Sequence, residues 1–230
     1  FKGVLTAIVT PFRDHKLDEA ALEKLVDQQV AAGVHGIVAV GTTGESPTLS
    51  DAEYTRVVTR VVAAARGKVP VIAGAGSNDT QHAAALAVLA LKAKADGLLV
   101  VTPYYNKPTQ AGLIAHFRAV IAAAPLPTVL YNIPSRTQSD LLPESVARLA
   151  EHEPIVAIKE ATGNILRATE ILRLLGERLT ILAGDDAIAL PMYAVGAKGV
   201  VSVLSNIAPA WMIELDQAVR TGDAARARRV

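Results

Sequence analysis

The amino-acid sequence predicts an α/β fold, a (βα)8 TIM barrel, and two patterns lead to this prediction. Short runs of β-branched residues alternate with Ala/Leu/Arg-rich stretches of helical period, and the 230-residue chain holds eight such pairs. The β-branched runs are apolar along most of their length, which is typical of parallel strands that are covered on their outer face. Eight consecutive strand–helix units fit a closed (βα)8 barrel.

Each predicted unit begins with a strand and ends with a helix. The predicted strands span residues 4–10, 36–40, 69–73, 97–101, 128–131, 155–159, 180–183 and 199–203. The predicted helices span residues 18–32, 51–66, 79–95, 110–124, 143–151, 165–175, 186–195 and 209–221. Ser50 and Glu53 have the spacing of a capping box at the start of the second helix. Glycines stand where four of the helices should stop, at Gly33, Gly67, Gly176 and Gly196.

An open, doubly wound sheet is the alternative arrangement of the same elements. Its first strand–helix turn would carry a glycine-rich phosphate-binding sequence, whereas the first predicted strand here leads into Thr10-Pro11-Phe12-Arg13. No linker interrupts the pattern, so we expect one catalytic barrel domain over residues 1–222. A further helix-like stretch begins at Asp223, and we expect residues 223–230 to start a C-terminal helical extension that is truncated or short here.

The composition argues against several classes of function. With 23 basic and 22 acidic residues the net charge is +1, and three Phe and one Trp offer few stacking surfaces, so we expect no nucleic-acid partner. No apolar stretch approaches the ~20 residues of a membrane helix, so we expect no membrane partner. The chain has no cysteine, hence no thiolate zinc site and no cysteine nucleophile. This composition suits a reducing compartment and predicts a cytoplasmic location.

Reactive and polar side chains collect where the predicted strands end, which is the rim that carries the active site in a (βα)8 barrel. The segments at these ends are GTTGE (41–45), TPYYN (102–106), YNIPSRT (131–137), KEAT (159–162) and GDD (184–186). Three of the five tyrosines lie here, together with a lysine and an arginine. Although tyrosine favours strands in general, this concentration predicts a functional site.

Lys159 is the most informative of these residues because it ends the otherwise apolar run 155–159. Burying an ammonium group costs several kcal/mol unless the charge is paired or neutralised. A lysine that loses its proton becomes a nucleophile that forms a Schiff base with a carbonyl. The strand alone fits equally well a structural lysine paired with Glu160 or another carboxylate, because ion pairs also perturb pKa values.

The two-residue period of a strand relates Lys159 to a tyrosine on the preceding strand. Ile155, Ala157 and Lys159 share one face of the sixth strand, and Val129 and Tyr131 share one face of the fifth. If both faces point inward, the amine and the phenol meet at the barrel mouth. A phenol in that position can shuttle protons for an imine-forming lysine.

Other chemistries fit the rim less well than a substrate with a carboxylate and a carbonyl, for which Thr42 and Thr43 offer hydroxyl and N–H groups. A metal-dependent reaction needs clustered ligands. The five histidines are scattered away from the strand ends, at His15, His35, His82, His116 and His152. A phosphate site usually follows the last two strands, where Asp185 and Asp186 would repel phosphate. We therefore expect no metal and no cofactor, and one of these aspartates as a helix cap.

Five segments in combination resemble the dihydrodipicolinate synthase family, whose members are also called 4-hydroxy-tetrahydrodipicolinate synthases. They are GTTGE (41–45), TPYYNKP (102–108), YNIPSRT (131–137), IKEATGN (158–164) and GDD (184–186). This family belongs to the wider N-acetylneuraminate lyase superfamily of class I aldolase-type barrels. The resemblance runs through essentially the whole chain, in the order and with the spacing of the family.

The resemblance implies a lyase of the diaminopimelate route of lysine biosynthesis. Pyruvate is bound covalently as a Schiff base on Lys159, and its enamine attacks the aldehyde of L-aspartate 4-semialdehyde. Tyr131 takes the role of proton donor and acceptor, relayed through Thr42 to Tyr105. Family members place that second tyrosine in the site of a neighbouring subunit, which implies a homodimer or a homotetramer.

Three further residues match substrate-binding positions of the family. Thr43 matches the residue that holds the pyruvate carboxylate, and Gly184 lies at a position that lines the pocket. Arg136 matches the residue that binds the semialdehyde carboxylate, a task that suits a bidentate guanidinium. Arg136 favours the synthase over sibling pyruvate-dependent 2-keto acid lyases. A non-catalytic keto-acid-binding barrel is the remaining alternative, but binding alone needs no proton relay.

The resemblance also predicts how the chain responds to lysine. In lysine-inhibited members, a His and a Glu help to form an allosteric pocket at the dimer interface. The matching positions here are Tyr54 and His82, whereas Ser46, Asn78 and Tyr104 are retained. A His cannot replace Glu as a fixed anion for the ammonium of lysine, so we expect feedback inhibition to be weak or absent.

Overall fold

The computed structural model describes residues 1–151 and 154–230, and it confirms the predicted (βα)8 barrel. The eight barrel strands are β1 Gly3–Ala7, β4 Gly36–Ala39, β5 Val71–Gly74, β6 Gly97–Val101, β7 Thr128–Asn132, β8 Ile155–Glu160, β9 Thr180–Ala183 and β10 Gly199–Ser202. All neighbouring pairs are parallel, and β1 pairs with both β4 and β10, which closes the barrel. The predicted strand ends differ from the observed ones by a few residues at most.

The helices surround the barrel in the predicted order. They are α1 Glu19–Ala32, α2 Asp51–Ala65, α3 Thr80–Lys92, α4 Gln110–Ala123, α5 Pro134–Thr137, α6 Pro143–Ala150, α7 Ile165–Leu175, α8 Ala189–Ala194, α9 Pro209–Arg220 and α10 Ala224–Ala227. The capping box at α2 is present, because Ser50 Oγ accepts from the Glu53 N–H and the Glu53 carboxylate accepts from the Ser50 N–H. Gly33 ends α1 with a left-handed φ of 88°, which glycine adopts without strain.

The apolar residues form two layers. The larger layer lies between the strands and the helices, and the smaller one fills the barrel interior. Each of the eight barrel strands contributes at least one residue to the smaller layer, which comprises Leu5, Ala7, Val38, Ile72, Leu99, Val129, Tyr131, Ala157, Leu182 and Val201. These side chains close the barrel below the rim, so the interior is a packed core with its open end at the carboxyl ends of the strands.

The prediction that Ile155 shares the inner face with Ala157 and Lys159 is wrong. Thr128 pairs with Ile155 and Val129 pairs with Ala157, so Val156 is an extra residue in β8. Such a β-bulge shifts the alternation of side chains by one residue. Ile155 therefore packs in the outer layer, whereas Ala157 keeps its predicted inner position.

Two local features were not predicted from the sequence. A short hairpin, β2 Phe12–Arg13 and β3 Lys16–Leu17, follows β1. Its turn residues Asp14 and His15 have positive φ angles, and these residue types tolerate that conformation better than most. The predicted seventh helix, 186–195, is divided into a 3₁₀ turn, Asp186–Ile188, and α8. A tighter first turn is common at helix N-termini.

Candidate active site

A cavity of about 450 Å³ opens at the carboxyl ends of the strands, where the sequence predicts the site. Six of the predicted site residues line it: Thr42, Thr43, Tyr131, Arg136, Lys159 and Gly184. Six further residues complete the lining: Ile133, Ser135, Ala161, Asp185, Asp186 and Val203. All of these except Val203 lie inside the sequence segments that carry the resemblance. Val203 carries no chemical signal, and only its place after the last strand could have indicated it.

Lys159 lies at the bottom of this cavity, near the end of β8, and its side chain is 6% exposed. Among the described residues it has no ion-pair partner within 4.0 Å. Its pKa is lowered to about 8, mainly by burial and to a smaller extent by Arg136, whereas Asp186 and Asp185 oppose the shift. The neutral amine is therefore a substantial species near neutral pH, which is the form that attacks a carbonyl.

Glu160 does not form an ion pair with Lys159. This observation removes the interpretation of Lys159 as a structural lysine that is paired with Glu160. The Glu160 carboxylate lies on the opposite face of β8, as the two-residue period requires. It accepts hydrogen bonds from the Thr162 N–H at 2.7 Å and from Asn132 Nδ2 at 3.4 Å. The lysine is thus buried without the neighbouring carboxylate as its counter-ion.

Tyr131 faces Lys159 from the adjacent strand. The two residues are register partners on β7 and β8, and the Lys159 Nζ lies 4.0 Å from the centroid of the Tyr131 ring. The tyrosine is 5% exposed, and burial raises its pKa to about 12, with Asp185 adding to the shift and Arg136 opposing it. The phenol is therefore protonated at neutral pH and can donate its proton.

Thr42 and Thr43 reach the cavity on a backbone that is strained just before them. Val40 is fully buried with a φ of 48°, a conformation that is unusual for a β-branched residue. Gly74 on β5 makes room for it, because a Cβ at that glycine would lie 2.2 Å from the Val40 carbonyl oxygen. Strain of this kind persists where the surrounding structure enforces it, and it often marks a functional loop.

Arg136 and the two aspartates set the charge at the cavity. Arg136 lies on α5, directly after β7, and is exposed at the cavity mouth. Asp185 accepts from the Ala187 N–H at 3.0 Å, which confirms that one aspartate caps a helical turn. The Oδ2 of Asp186 accepts from the N–H groups of Val203 and Leu204, both at 2.9 Å. Asp186 is thus fixed to the segment that follows β10. Its charge opposes the loss of the Lys159 proton.

Tyr105 is the predicted catalytic residue that does not lie in this cavity. Its side chain is 86% exposed and its φ is 75°, and the ring is therefore not packed against the barrel. Among the described residues, no hydrogen bond links the hydroxyls of Tyr131, Thr42 and Tyr105. The predicted relay is therefore not assembled within one chain.

The predicted allosteric residues fall into three groups. Ser46 and Tyr104 line a smaller cavity of about 210 Å³ that also touches Thr42 and Arg136. Tyr54 lies on α2 and is 2% exposed, so its side chain is part of the core.

His82 and Asn78 lie outside the smaller cavity. His82 is exposed, with its Nε2 3.3 Å from Asp51 Oδ1, and the Asn78 carbonyl accepts from Asn106 Nδ2 at 3.0 Å.

The part of the chain that the structure describes holds neither a group of metal ligands nor a membrane helix. There, no three His, Asp or Glu side chains are grouped closely enough to hold a metal ion. Of the histidines, His152 lies outside the described residues. Within the same ranges, no helix combines the length and the apolar character that a membrane crossing requires.

The whole chain is similar to proteins of one enzyme family. The model of the dihydrodipicolinate synthetase family matches residues 1–230. The chain belongs to this family. The family that the five sequence segments predict is therefore confirmed.

Individual members of the dihydrodipicolinate synthetase family match over nearly the same range. The 4-hydroxy-tetrahydrodipicolinate synthase of Geobacter sulfurreducens is 52% identical over 230 residues, which cover 100% of this chain and 79% of the relative. The chloride-inhibited dihydrodipicolinate synthase from Acinetobacter baumannii, complexed with pyruvate, superposes with a TM-score of 0.95 at 43% identity, over 99% of this chain and 79% of that one. The enzyme from Cyanidioschyzon merolae with lysine bound superposes with a TM-score of 0.96 at 41% identity, over 100% and 79%.

Proposed function

We propose that this chain condenses pyruvate with L-aspartate 4-semialdehyde to 4-hydroxy-tetrahydrodipicolinate, in the diaminopimelate route of lysine biosynthesis. The prediction of a synthase, which is a lyase, is confirmed over the sibling lyase by the family match and by the names of relatives about half identical in sequence. One structural observation carries the mechanism: a buried lysine without an ion pair among the described residues lies beside a protonated tyrosine at the bottom of the rim cavity.

The first step assigned to Lys159 is imine formation. The neutral amine adds to the ketone carbon of pyruvate, and the resulting carbinolamine loses its hydroxyl group as water after that oxygen is protonated. Tyr131 supplies this proton, since its raised pKa keeps the phenol protonated. The Tyr131 phenolate left by this transfer then takes a proton from the pyruvate methyl group, which gives the enamine and restores the phenol.

The second step forms the carbon–carbon bond. The enamine carbon attacks the aldehyde of the semialdehyde, and the aldehyde oxygen takes the proton of Tyr131 to become the 4-hydroxyl group. The amino group of the semialdehyde then attacks the imine carbon and displaces the Lys159 amine. This closes the ring and returns the free lysine, with one water released in the whole reaction.

The remaining cavity residues bind the substrates in this proposal. Thr43 holds the pyruvate carboxylate, and Gly184 lets the backbone after β9 lie close to the end of β8, because a Cβ there would be 2.5 Å from the Ala161 Cβ. Arg136 binds the semialdehyde carboxylate at the mouth, where its exposed guanidinium is accessible to an arriving anion. Pyruvate is bound as a substrate, and we propose that the chain uses no metal or other cofactor.

We further propose that the proton relay from Tyr131 through Thr42 is completed by Tyr105 of a neighbouring subunit, in a homodimer or homotetramer. The exposed, outward-facing ring of Tyr105 supports this assignment, because it is free to reach another copy. The lysine-binding set of Ser46, Tyr54, Asn78, His82 and Tyr104 is proposed to respond weakly to lysine, since an exposed His stands at its anionic position.

The domain organisation and the location are also proposals. Residues 1–222 form the catalytic barrel and residues 223–230 begin a helical extension, which the short α10 and its cap by Asp223 support. A cytoplasmic location is supported by the biosynthetic role of the family and by a cysteine-free chain, which suits a reducing compartment.

Borohydride reduction in the presence of pyruvate, followed by peptide mapping, tests the proposed nucleophile. We expect a reduced pyruvate adduct on Lys159, and an adduct on another residue or none at all would refute the assignment. A panel of aldehydes offered with pyruvate then tests the substrate. A synthase is expected to turn over L-aspartate 4-semialdehyde faster than sugar aldehydes. A sibling lyase is expected to show the opposite order.

A further inference from the structure

A buried polar network lies behind the active-site lysine, on the outer face of β7 and β8. Asn132 and Glu160 are register partners there, one residue beyond the pair formed by Tyr131 and Lys159. Asn132 is fully buried and Glu160 is 1% exposed. The Asn132 side-chain amide donates to Glu160 at 3.4 Å and to Asp140 at 3.0 Å, and its oxygen accepts from the Leu141 N–H at 3.0 Å.

The network extends from these two residues to the next loop and the next helix. The second Glu160 oxygen accepts from the Thr162 N–H at 2.7 Å, which fixes the loop after β8. Arg167 on α7 donates to Asp140 at 2.9 Å. Four segments of chain are thus joined at the level of the rim, where the backbone ladder between β7 and β8 ends.

This network occupies an outer face that is mostly apolar, where Thr6 on β1 and Gln29 on α1 form another buried polar contact. A buried carboxylate is costly unless its partners satisfy it, and an apolar pair of similar volume would often be as stable. Burial raises the pKa of Glu160, which agrees with an environment that does not favour the charge. The stability of the fold alone therefore does not explain why two buried polar residues lie at the rim ends of β7 and β8.

We propose that the Asn132–Glu160 pair is a positioning device that holds the rim ends of β7 and β8 together and so sets the distance between the Lys159 amine and the Tyr131 phenol. The proposal depends on the function assigned above to these two groups. Neither Asn132 nor Glu160 lines the cavity, so both act through the strands that carry their neighbours.

The charges that face Lys159 come from other elements. Asp186 and Asp185 follow β9, and Arg136 lies on α5 after β7. Glu160 points the opposite way and faces Asn132, Thr162 and, at longer range, Arg167. Two effects of neutralising Glu160 therefore differ in sign. Removing a negative charge alone would lower the lysine pKa, whereas loosening the strands admits water and raises it.

The variant Glu160→Gln separates these two effects. It keeps the volume but offers one acceptor to the two N–H donors that now point at the carboxylate, so one hydrogen bond is lost. The measurement is the rate of imine formation with pyruvate against pH, from borohydride trapping at short times, together with kcat and KM in the full reaction. In the wild-type protein, the rate of imine formation is expected to rise with pH and to level off near pH 8; this rising part of the profile is called the limb below.

We expect the limb of Glu160→Gln to move to higher pH and kcat to fall about tenfold, with KM for pyruvate changed less, because misplaced groups slow chemistry more than they weaken binding. A limb that moves to lower pH, or an unchanged limb and kcat, would overturn the proposal. If wild-type protein forms no adduct on Lys159, the proposed function itself fails, and this outcome is distinct from a failure of the variant alone.

A second variant and a control complete the experiment. Asn132→Ala should move the limb in the same direction, and the double variant should show less than the sum of both effects, since the two residues act as a pair. Additive effects would count against the pair.

Tyr193→Phe removes another buried hydrogen bond, from the hydroxyl to Asp216 at 2.9 Å, away from the cavity. It should leave the limb and kcat unchanged, and a similar shift in this control would show a merely structural effect.

Discussion

Lys159 and Tyr131 face each other across neighbouring strands, with the amine nitrogen 4.0 Å from the centroid of the phenol ring. Burial acts on the two groups in opposite directions, because it disfavours the ammonium of one and the phenolate of the other. The pKa of Lys159 falls to about 8 and that of Tyr131 rises to about 12. A nucleophile and a proton donor are thus available side by side in slightly alkaline solution.

The pH dependence of imine formation follows from this pair. Below about pH 8 the rate with pyruvate should rise about tenfold per pH unit, because it follows the fraction of neutral amine, and above that pH it should level off. Rapid mixing followed by borohydride trapping between pH 6 and pH 10 measures this limb. A limb near the ordinary lysine pKa of 10.5 would contradict the burial effect.

Replacing the lysine should stabilise the fold. Between about pH 8 and 10.5 the native state binds fewer protons than the unfolded state, so wild-type stability rises with pH there, and the full penalty is present below about pH 8. Lys159→Met should therefore increase the free energy of unfolding at pH 7 by about 3 kcal/mol, and the gain should shrink as the pH approaches 10. Urea unfolding at the two pH values tests this, and a gain that does not depend on pH would disagree with it.

Removing the phenol hydroxyl separates imine formation from turnover. Tyr131→Phe should lower kcat by about 10²-fold to 10³-fold, since a positioned proton donor contributes a factor of this size. The borohydride adduct on Lys159 should still form, although more slowly. Steady-state kinetics and mass spectrometry of the adduct test the two halves, and full turnover in the variant would remove Tyr131 from the mechanism.

The strained loop before Thr42 depends on a glycine of another strand. Gly74→Ala places a Cβ 2.2 Å from the Val40 carbonyl, so β5 must move, and we expect a loss of about 1–3 kcal/mol in the free energy of unfolding together with a reduced kcat. Gly222→Ala is the control, because the added Cβ would have no atom within 4 Å, and the positive φ of Gly222 still makes the substitution destabilising. The control should lose stability without losing kcat, and equal losses of kcat in both variants would count against a role of this contact.

Lysine should inhibit this protein weakly or not at all. His82 is exposed and lies 3.3 Å from Asp51, so it does not present a fixed negative charge to an ammonium group. Initial rates at increasing L-lysine concentration measure the effect, and the variant His82→Glu is the matched comparison. Strong inhibition of the wild-type protein would refute the prediction, and stronger inhibition of the variant would support the reason given for it.

Much of the architecture could be predicted because each barrel strand is buried on both faces and is short, apolar and β-branched. The same pattern located Lys159, since a charge at the end of such a strand has no ordinary place. The meeting of Lys159 with Tyr131 also followed from the two-residue period. These predictions depend on local sequence and on the fixed geometry of parallel strands.

Other features depend on contacts between distant segments and could not be predicted in this way. The extra residue Val156 in β8 becomes visible only through its pairing with β7. Glu160 could have been the counter-ion of its neighbour, and its actual partners are Asn132, at the end of β7, and Thr162, in the loop after β8. The outward direction of Tyr105 depends on a positive φ that its residue type does not signal.

The inserted residue in β8 also has a consequence for how the barrel tolerates changes in length. If Val156 were deleted, Ile155 would still face the helices and Ala157 the interior, because these two already alternate correctly against Thr128 and Val129. The reactive end of the strand is therefore insulated from the loss of this one residue near its beginning. A chain without Val156 is expected to keep the Lys159 amine directed at Tyr131.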